Sequence, residues 1–408
     1  MGYTRDAIRG ISWMSGFRAV TRGMAFVKIA VLARVLSPAQ FGVFGIASLV
    51  LTFLEVITET GINVFLIQSK KTIDDYIDSA WVVSIIRGII ISLLLVILSP
   101  VIASFFNTPE ALPILLFISI VPFIKGFINP ACVKFQKELQ FNAEFWYRTA
   151  IFFVDSVIAI VIAYFTHSVY SLVWGLLAGA MIEVLLSFLL FRPTPRLHIE
   201  NNYFMELFHK GKWVTLSGIF GYFTDNGDNV VVGKLLGASN LGLYQLAYKI
   251  SILPISEVSD VVSRVIFPVY TKIAEDKRRL WRAFVKTNIF AFSASFTLGM
   301  IIFFFPAQIV LIFLGDKWLA AVPVLQVLSI YGVLRTIAGP SSSLFLAVGK
   351  QQYVTGMILV RLLALGVTIF PLISLYGLVG AAYAAIISVL IETPVVVYFV
   401  YRVFAKSR

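Results

Sequence analysis

The sequence predicts an all-α integral membrane protein with about twelve transmembrane helices in two pseudo-symmetric six-helix lobes. Three observations lead to this fold class. Hydrophobic residues occupy 59% of the 408 positions and charged residues only 13%, whereas soluble domains average roughly half and a quarter. Apolar runs of membrane-spanning length recur along the whole chain. Two stretches of the first half also return in the second half, in the same order.

The apolar runs each approach or exceed the roughly 20 residues that one helical crossing of a bilayer requires. The longest connection, 192–212, divides the chain into an N-lobe at 1–192, a cytoplasmic linker at 193–210 and a C-lobe at 211–408. Aromatic residues in the linker fit either a short helix lying at the membrane interface or an ordinary polar loop. The predicted spans are 10–34, 41–67, 78–105, 111–133, 145–166, 170–191, 211–234, 241–269, 284–314, 319–347, 353–374 and 378–401.

The two lobes are predicted to be repeats of one architecture. Trp13 and Arg34 recur 200 positions later as Trp213 and Lys234. Repeated halves are typical of transporters that bind their substrate between the repeats, so we expect the lobes to form a V-shaped cavity. A second set of residues recurs with a displacement of 210 positions, in which Ala111, Ser119, Lys125 and Pro130 match Ala321, Ser329, Arg335 and Pro340.

The basic residues, which give a formal net charge of +12, cluster on alternate connections between the apolar runs. This distribution follows the positive-inside rule and predicts that both termini lie in the cytoplasm. The protein is therefore predicted to be a multi-pass protein of the cytoplasmic (inner) membrane. A basic patch on a soluble surface, which would favour a nucleic-acid partner, is not indicated. No cleavable signal peptide is evident at the N-terminus.

Cysteine and histidine are scarce. One cysteine, Cys132, and three scattered histidines exclude an internal disulfide framework and give no metal-ligand spacing. We therefore predict no catalytic residues, no metal site and no resident cofactor.

Cations inside the predicted spans are the strongest functional signal, because each costs at least roughly 2.5–3.5 kcal/mol to insert unless it faces a cavity or a partner. Arg18 and Arg22 lie one turn apart on one face of the first span, which holds no carboxylate. These cations either line a basic cavity for an anionic substrate or pair with carboxylates such as Asp155 and join helices. The predicted cavity set is Arg18, Arg22, Lys28, Lys125, Lys249 and Arg335.

Two acidic residues on the seventh span form a second predicted site. Asp225 and Asp228 are three positions apart, so their carboxylates share one helix face. Flanking threonine and asparagine residues add oxygen ligands. Such a group suits coupling to Na⁺ or to protons. The alternative interpretation is an ion pair between Asp228 and a cation.

The segment 31–47, which reads VLARVLSPAQFGVFGIA, resembles the first hairpin of the bacterial and archaeal polysaccharide flippases. These flippases belong to the multidrug/oligosaccharidyl-lipid/polysaccharide (MOP) exporter superfamily, and the resemblance extends over essentially the whole chain. It implies a MOP/MATE-like fold. It further implies that the protein moves a polyprenyl-diphosphate-linked oligosaccharide from the inner to the outer leaflet by alternating access.

The resemblance also assigns roles to residues of this chain. It implies that Arg18 and Arg22 meet the diphosphate in a central cavity, and that Asp225 or Asp228 takes part in a cation site. The implied partners are the lipid-linked oligosaccharide, membrane lipids and proteins of polysaccharide assembly, such as those that make lipopolysaccharide. Many relatives continue into a thirteenth and a fourteenth helix, whereas the last predicted span here is the twelfth, so a lipid-tail groove built by those helices is not expected.

Three rival functions remain at this point. A cation-coupled multidrug exporter of the same superfamily would need an acidic cavity, which the basic excess does not favour. A membrane glycosyltransferase, polymerase or ligase acting on lipid-linked sugars would need catalytic carboxylates or histidines on a sizeable loop, and the outward connections are only a few residues long. A scaffold of a polysaccharide assembly complex is the third. We predict a flippase and no enzyme.

Overall fold

The computed structural model describes residues 2–59, 76–138, 140–198 and 201–405. Within those ranges, the side chains of residues 2–15, 17–19, 136, 141, 201–214 and 216–217 are outside the description. The chain forms two compact units, Met1–Tyr222 and Phe223–Arg408. The boundary between the units therefore falls inside the predicted seventh span.

Unit 1 begins with a long helix, α1, and continues through shorter elements to the start of a second long helix, α9. A 3₁₀ turn at Pro130–Val133 precedes α6. The α-helices are α1 Gly2–Val35, α2 Pro38–Ile57, α3 Ile77–Phe105, α4 Ala111–Ile118, α5 Ile120–Gly126, α6 Lys134–Lys137, α7 Phe141–Thr166, α8 Tyr170–Leu190 and α9 Asn201–Lys272.

Unit 2 contains most of α9 and the remaining helices. A 3₁₀ turn at Asp316–Ala321 connects two of them. The α-helices that follow α9 are α10 Lys277–Phe304, α11 Pro306–Phe313, α12 Val322–Arg335, α13 Ala338–Ala347 and α14 Gln351–Ala405. Because α9 begins at Asn201, its backbone runs without a break from the predicted linker into the predicted seventh span. The amphipathic character predicted for that stretch falls on side chains outside the described residues.

Seven helical segments in the described part of the chain are long and apolar enough to cross a membrane, so the protein is a multi-pass membrane protein. One of them, α14, holds two predicted spans and changes direction at Gly377, where φ is +57°. The predicted total of about twelve spans stays a prediction. The seven segments are Pro38–Ile57, Ile77–Phe105, Asn142–Thr166, Tyr170–Leu190, Lys277–Phe304, Asp316–Ala347 and Gln351–Ala405.

The repeated turn after the first helix of each lobe is made by different local chemistry. In unit 1 the Ser37 hydroxyl accepts from the backbone N–H of Gln40, whose side chain accepts from the Ser37 N–H. This capping box fixes the start of α2. The position 200 residues later is Gly237, which has φ +79° and ψ 175° inside α9. Glycine adopts that conformation without steric cost, so the second turn needs no capping side chain.

Helix packing in each unit follows close contacts at small residues. In unit 1, α7 packs along α8 and α1 packs on α7. A Cβ atom at Gly88 of α3 would lie 2.5 Å from the Pro122 carbonyl oxygen of α5, so only glycine allows these two helices to approach as they do. In unit 2, α12 packs against both α10 and α14, which places the end of α12 inside the unit.

Candidate functional site

Short helices carry a cation in their last turn at the same repeat position in both units. Arg335 ends α12 and Lys125 lies in the last turn of α5. Pro340 and Pro130 follow five residues later in each case. Proline lacks the N–H that would bond the carbonyl four residues earlier, which favours a helix end at this point. This C-terminal helix end is suited to a cation because the helix dipole is negative there.

The guanidinium of Arg335 is held on one side by two phenols. Its Nη1 donates to the hydroxyls of Tyr248, at 3.1 Å, and Tyr331, at 3.4 Å. On the other side, Nη2 lies 3.6 Å from Oδ1 of Asp225, whose side chain is 64% exposed. Charge-assisted hydrogen bonds are usually about 2.7–2.9 Å long, so the pairing with Asp225 is loose. Arg335 thus presents an oriented charge that is only weakly compensated.

Arg335 lines a cavity of about 440 Å³ within unit 2. Segments of α9, α12, α13 and α14 form its wall, and hydroxyl groups of Tyr248, Ser256 and Ser342 add polar contacts. Two cations and two carboxylates line the same space. They are Arg335, Arg361, Asp225 and Asp260.

The second arginine of the cavity has a more deeply buried carboxylate partner. Arg361 Nη1 lies 3.7 Å from Oε2 of Glu392, and the two side chains are 9% and 3% exposed. Both residues belong to α14, on either side of its bend at Gly377. The second oxygen, Oε1 of Glu392, has no hydrogen-bond partner among the described residues. Both pairings are long, but Arg361 and Glu392 are almost fully buried whereas Asp225 is exposed, so Arg335 carries the charge that is more accessible to a ligand.

Asp228 is buried, in contrast to Asp225. Its Oδ2 accepts from the Tyr244 hydroxyl at 2.9 Å. Its Oδ1 accepts from the backbone N–H and the Nδ2 of Asn229, at 2.8 and 3.0 Å. The amide oxygen Oδ1 of Asn229 is buried without a hydrogen-bond partner in the described part of the chain. A buried carboxylate thus lies next to an unpaired carbonyl-type oxygen, and both are ligands that Na⁺ accepts.

Lys28 is engaged by a carboxylate in unit 1. Its Nζ donates to both oxygens of Asp155, at 2.9 and 2.7 Å, which joins α1 to α7. The ammonium also lies 5.9 Å from the centre of the Phe152 ring. A Cβ atom at Gly175 of α8 would lie 2.6 Å from the Asp155 carbonyl oxygen, so the glycine makes room for the pair. This contact is the pairing that we gave as the alternative to cavity lining.

The remaining predicted cavity cations are distributed differently. The side chain of Arg18 lies outside the described residues, and that of Arg22 is exposed. Lys125 and Lys249 are also exposed. Of the six predicted cations, Arg335 lines the cavity described above. The diphosphate-binding role of all six stays a prediction.

Sequence reasoning missed Tyr331 and Tyr244 as partners of charged groups, and it missed Glu392 altogether. Tyr331 lies four residues before Arg335 on the same helix, a spacing that brings side chains together. The sequence spacing could therefore have predicted this contact. Tyr244 lies sixteen residues from Asp228 across the bend at Gly237. That contact depends on how α9 bends, and no sequence spacing indicates it.

A protein-family model matches most of the chain. Residues 31–323 match the model described as "Polysaccharide biosynthesis protein". The chain belongs to this polysaccharide biosynthesis protein family. A relative with a curated description is the "Lipopolysaccharide biosynthesis protein WzxC" of Escherichia coli strain K12, which is 26% identical over 353 residues. The match covers 85% of this chain and 71% of WzxC. The family resemblance stated from residues 31–47 is therefore confirmed.

Solved structures show the fold of this polysaccharide biosynthesis protein. "Lipid II flippase MurJ, inward closed conformation" superimposes with a TM-score of 0.77 at 15% identity and covers 97% of this chain and 89% of MurJ. An inward-facing multidrug resistance MATE family transporter of the MOP superfamily gives 0.72 at 16% identity, with 95% and 96% coverage. The predicted all-α MOP/MATE-like fold is confirmed. A flippase and a transporter share this fold.

Proposed function

We propose that this protein is a flippase that translocates a polyprenyl-diphosphate-linked oligosaccharide across the cytoplasmic membrane by alternating access. The observation that carries the proposal is the weakly compensated Arg335 in a cavity of a MOP-fold membrane protein. The family is described as acting in polysaccharide biosynthesis, and MurJ is named a lipid II flippase. The alternating basic connections support cytoplasmic termini.

The chemistry of a diphosphate suits the geometry of Arg335. Arginine binds phosphate oxygens in a bidentate manner and keeps its charge at any physiological pH. With Nη1 held by Tyr248 and Tyr331, Nη2 is the group that a phosphate oxygen reaches by replacing the exposed carboxylate of Asp225. Ser256 and Ser342 line the same cavity, and their hydroxyls donate to the backbone carbonyls of Leu253 and Ala338, so their oxygens are available as acceptors for sugar hydroxyls. The polyprenyl tail stays in the lipid while the head group crosses.

Transport of a fluorescent polyprenyl-diphosphate oligosaccharide in proteoliposomes tests the function and the predicted first-helix arginines. We expect wild-type protein to move the lipid between leaflets and Arg18→Ala/Arg22→Ala to lose at least about tenfold in rate. That loss follows because removing a charged hydrogen-bond partner costs about 1.5–3 kcal/mol. The variant Arg5→Ala/Arg9→Ala removes two charges before the predicted span and serves as a control. Lipid that stays in its original leaflet while donor and acceptor sugars become joined would point to an enzyme.

We further propose that Asp228, rather than Asp225, couples transport to a cation. Asp228 is buried beside the unpaired Oδ1 of Asn229, whereas Asp225 is exposed and faces Arg335. Binding of Na⁺ at Oδ2 of Asp228 would displace the hydrogen bond from the Tyr244 hydroxyl. Binding of a proton would instead make the Asp228 side chain a neutral hydrogen-bond donor. Either event changes the charge of a buried site, so it has a large energetic effect.

Asp228→Asn is expected to abolish any stimulation of transport by a Na⁺ or pH gradient. Asp225→Asn, which removes the same charge three residues away, is expected to retain that stimulation. Transport rates are measured in proteoliposomes with no gradient, with a Na⁺ gradient and with a pH gradient. Stimulation that survives in Asp228→Asn and disappears in Asp225→Asn would assign the coupling to the exposed carboxylate.

A further inference from the structure

A second cavity, of about 420 Å³, lies at the end of unit 2 where α10 begins, α13 ends and α14 both begins and ends. Three cations line it, namely Lys277, Lys350 and Arg402. Tyr353 and Tyr401 form aromatic parts of the wall. None of the eight described residues that line the cavity has a carboxylate. The volume falls within the roughly 300–1,000 Å³ typical of small-molecule sites.

The wall of this basic cavity is held in place by packed helices. The Tyr353 ring stacks on Phe399 with centroids 4.3 Å apart and 5° between the planes. Lys277 Nζ donates to the Val403 carbonyl at 3.1 Å, which ties the start of α10 to the end of α14. Arg402 lies 5.5 Å from the Tyr398 ring centre. A fixed wall lets the cations meet a ligand with little loss of conformational entropy.

The three cations are not neutralised within the described part of the chain. None of the three belongs to an ion pair described there; those pairs include Lys28–Asp155, Arg335–Asp225 and Arg361–Glu392. The nearby Asp276 accepts from the backbone N–H of Arg279 and so caps its own helix. Three positive charges therefore line one cavity, and no carboxylate among the described residues pairs with them.

The position of the cavity indicates the kind of anion. It lies at the ends of the membrane-spanning helices α10 and α14, and the half-exposed Trp281 lies on the first turns of α10, as aromatic residues do at the headgroup level. The N-terminus of α14 also borders the cavity, and the helix dipole favours anions at that end. Basic pockets between membrane helices bind the head groups of anionic lipids.

We propose that this cavity binds the phosphate of an anionic glycerophospholipid head group. Lys277, Lys350 and Arg402 contact the phosphate oxygens, while Tyr353 and Tyr401 donate to the remaining oxygens of the head group. The acyl chains stay in the bilayer beside the exposed faces of α10 and α14. A soluble phosphate ester shares the recognised group, so the test separates the two sources. The site is independent of the cavity around Arg335.

Native mass spectrometry of the full chain in neutral detergent tests the proposal by titration with phosphatidylglycerol, phosphatidylcholine and glycerol 3-phosphate. We expect one phosphatidylglycerol to be retained at least tenfold more tightly than phosphatidylcholine. Lys277→Gln/Lys350→Gln/Arg402→Gln is expected to lose that preference. Arg278→Gln/Arg279→Gln/Arg282→Gln removes the same charge from exposed positions on α10 and is expected to keep it.

Each outcome decides the assignment. Equal loss in both triple variants, or equal binding of the two lipids by wild-type protein, would overturn the proposal. Glycerol 3-phosphate that displaces the lipid at equal concentration would confirm a phosphate site and assign it to a soluble ester. Lys350→Arg/Arg402→Lys keeps all charges and is expected to retain the lipid. A loss there, with an unchanged melting temperature, would show that charge is not what the cavity recognises.

Discussion

Arg335→Gln is expected to reduce transport of a polyprenyl-diphosphate oligosaccharide roughly 10- to 150-fold. Glutamine can still donate to Tyr248, but it cannot bind a phosphate in a charge-assisted, bidentate manner. A hydrogen bond to a charged group contributes about 1.5–3 kcal/mol, which corresponds to that range of binding constants. The measurement is the initial transport rate in proteoliposomes as a function of substrate concentration.

Two further variants separate the cavity charge from general effects. Arg264→Gln removes a positive charge from an exposed position on α9 that does not line the cavity, and its rate should equal that of wild type. Arg335→Lys keeps the charge and loses the forked geometry, so an intermediate rate is expected. Transport at the wild-type rate in Arg335→Gln would show that the cavity in unit 2 does not contact the diphosphate.

Single replacement of either member of the Lys28–Asp155 pair is expected to lower stability strongly. The two side chains are 13% and 10% exposed, and removing one partner of a buried pair costs about 3–5 kcal/mol because the other charge is left unpaired. Lys28→Met and Asp155→Leu should therefore each unfold at a clearly lower temperature. Thermal unfolding in detergent, followed by circular dichroism, measures the change.

The double variant Lys28→Met/Asp155→Leu distinguishes a structural pair from a binding residue. Replacing both partners leaves no unpaired charge, so most of the lost stability should return. If the pair only joins α1 to α7, the folded double variant should transport like wild type. A stable double variant with no transport would instead restore Lys28 to the set of diphosphate ligands.

Helix positions were predicted well where the sequence carries a local signal. The predicted spans 78–105 and 170–191 correspond to Ile77–Phe105 and Tyr170–Leu190, since long apolar runs form helices in lipid, where each backbone polar group must be satisfied within the segment. Bends inside long apolar segments were predicted less well. Arg335 ends a helix before Pro340, and α9 turns at Gly237 without interruption. Such bends depend on which neighbours satisfy the freed carbonyls.

The sequence by itself determined the membrane class, the family and the repeat that matches Lys125 with Arg335, because these follow from composition, motif and spacing. Only the tertiary structure decided that Lys28 is paired with Asp155, that Asp228 is buried while Asp225 is exposed, and that Arg335 faces a cavity. The physical reason is that a charge inside a membrane must find a partner or a polar cavity. Which of the two it finds depends on the folded arrangement, as for Lys28, whose partner Asp155 lies 127 positions away in the chain.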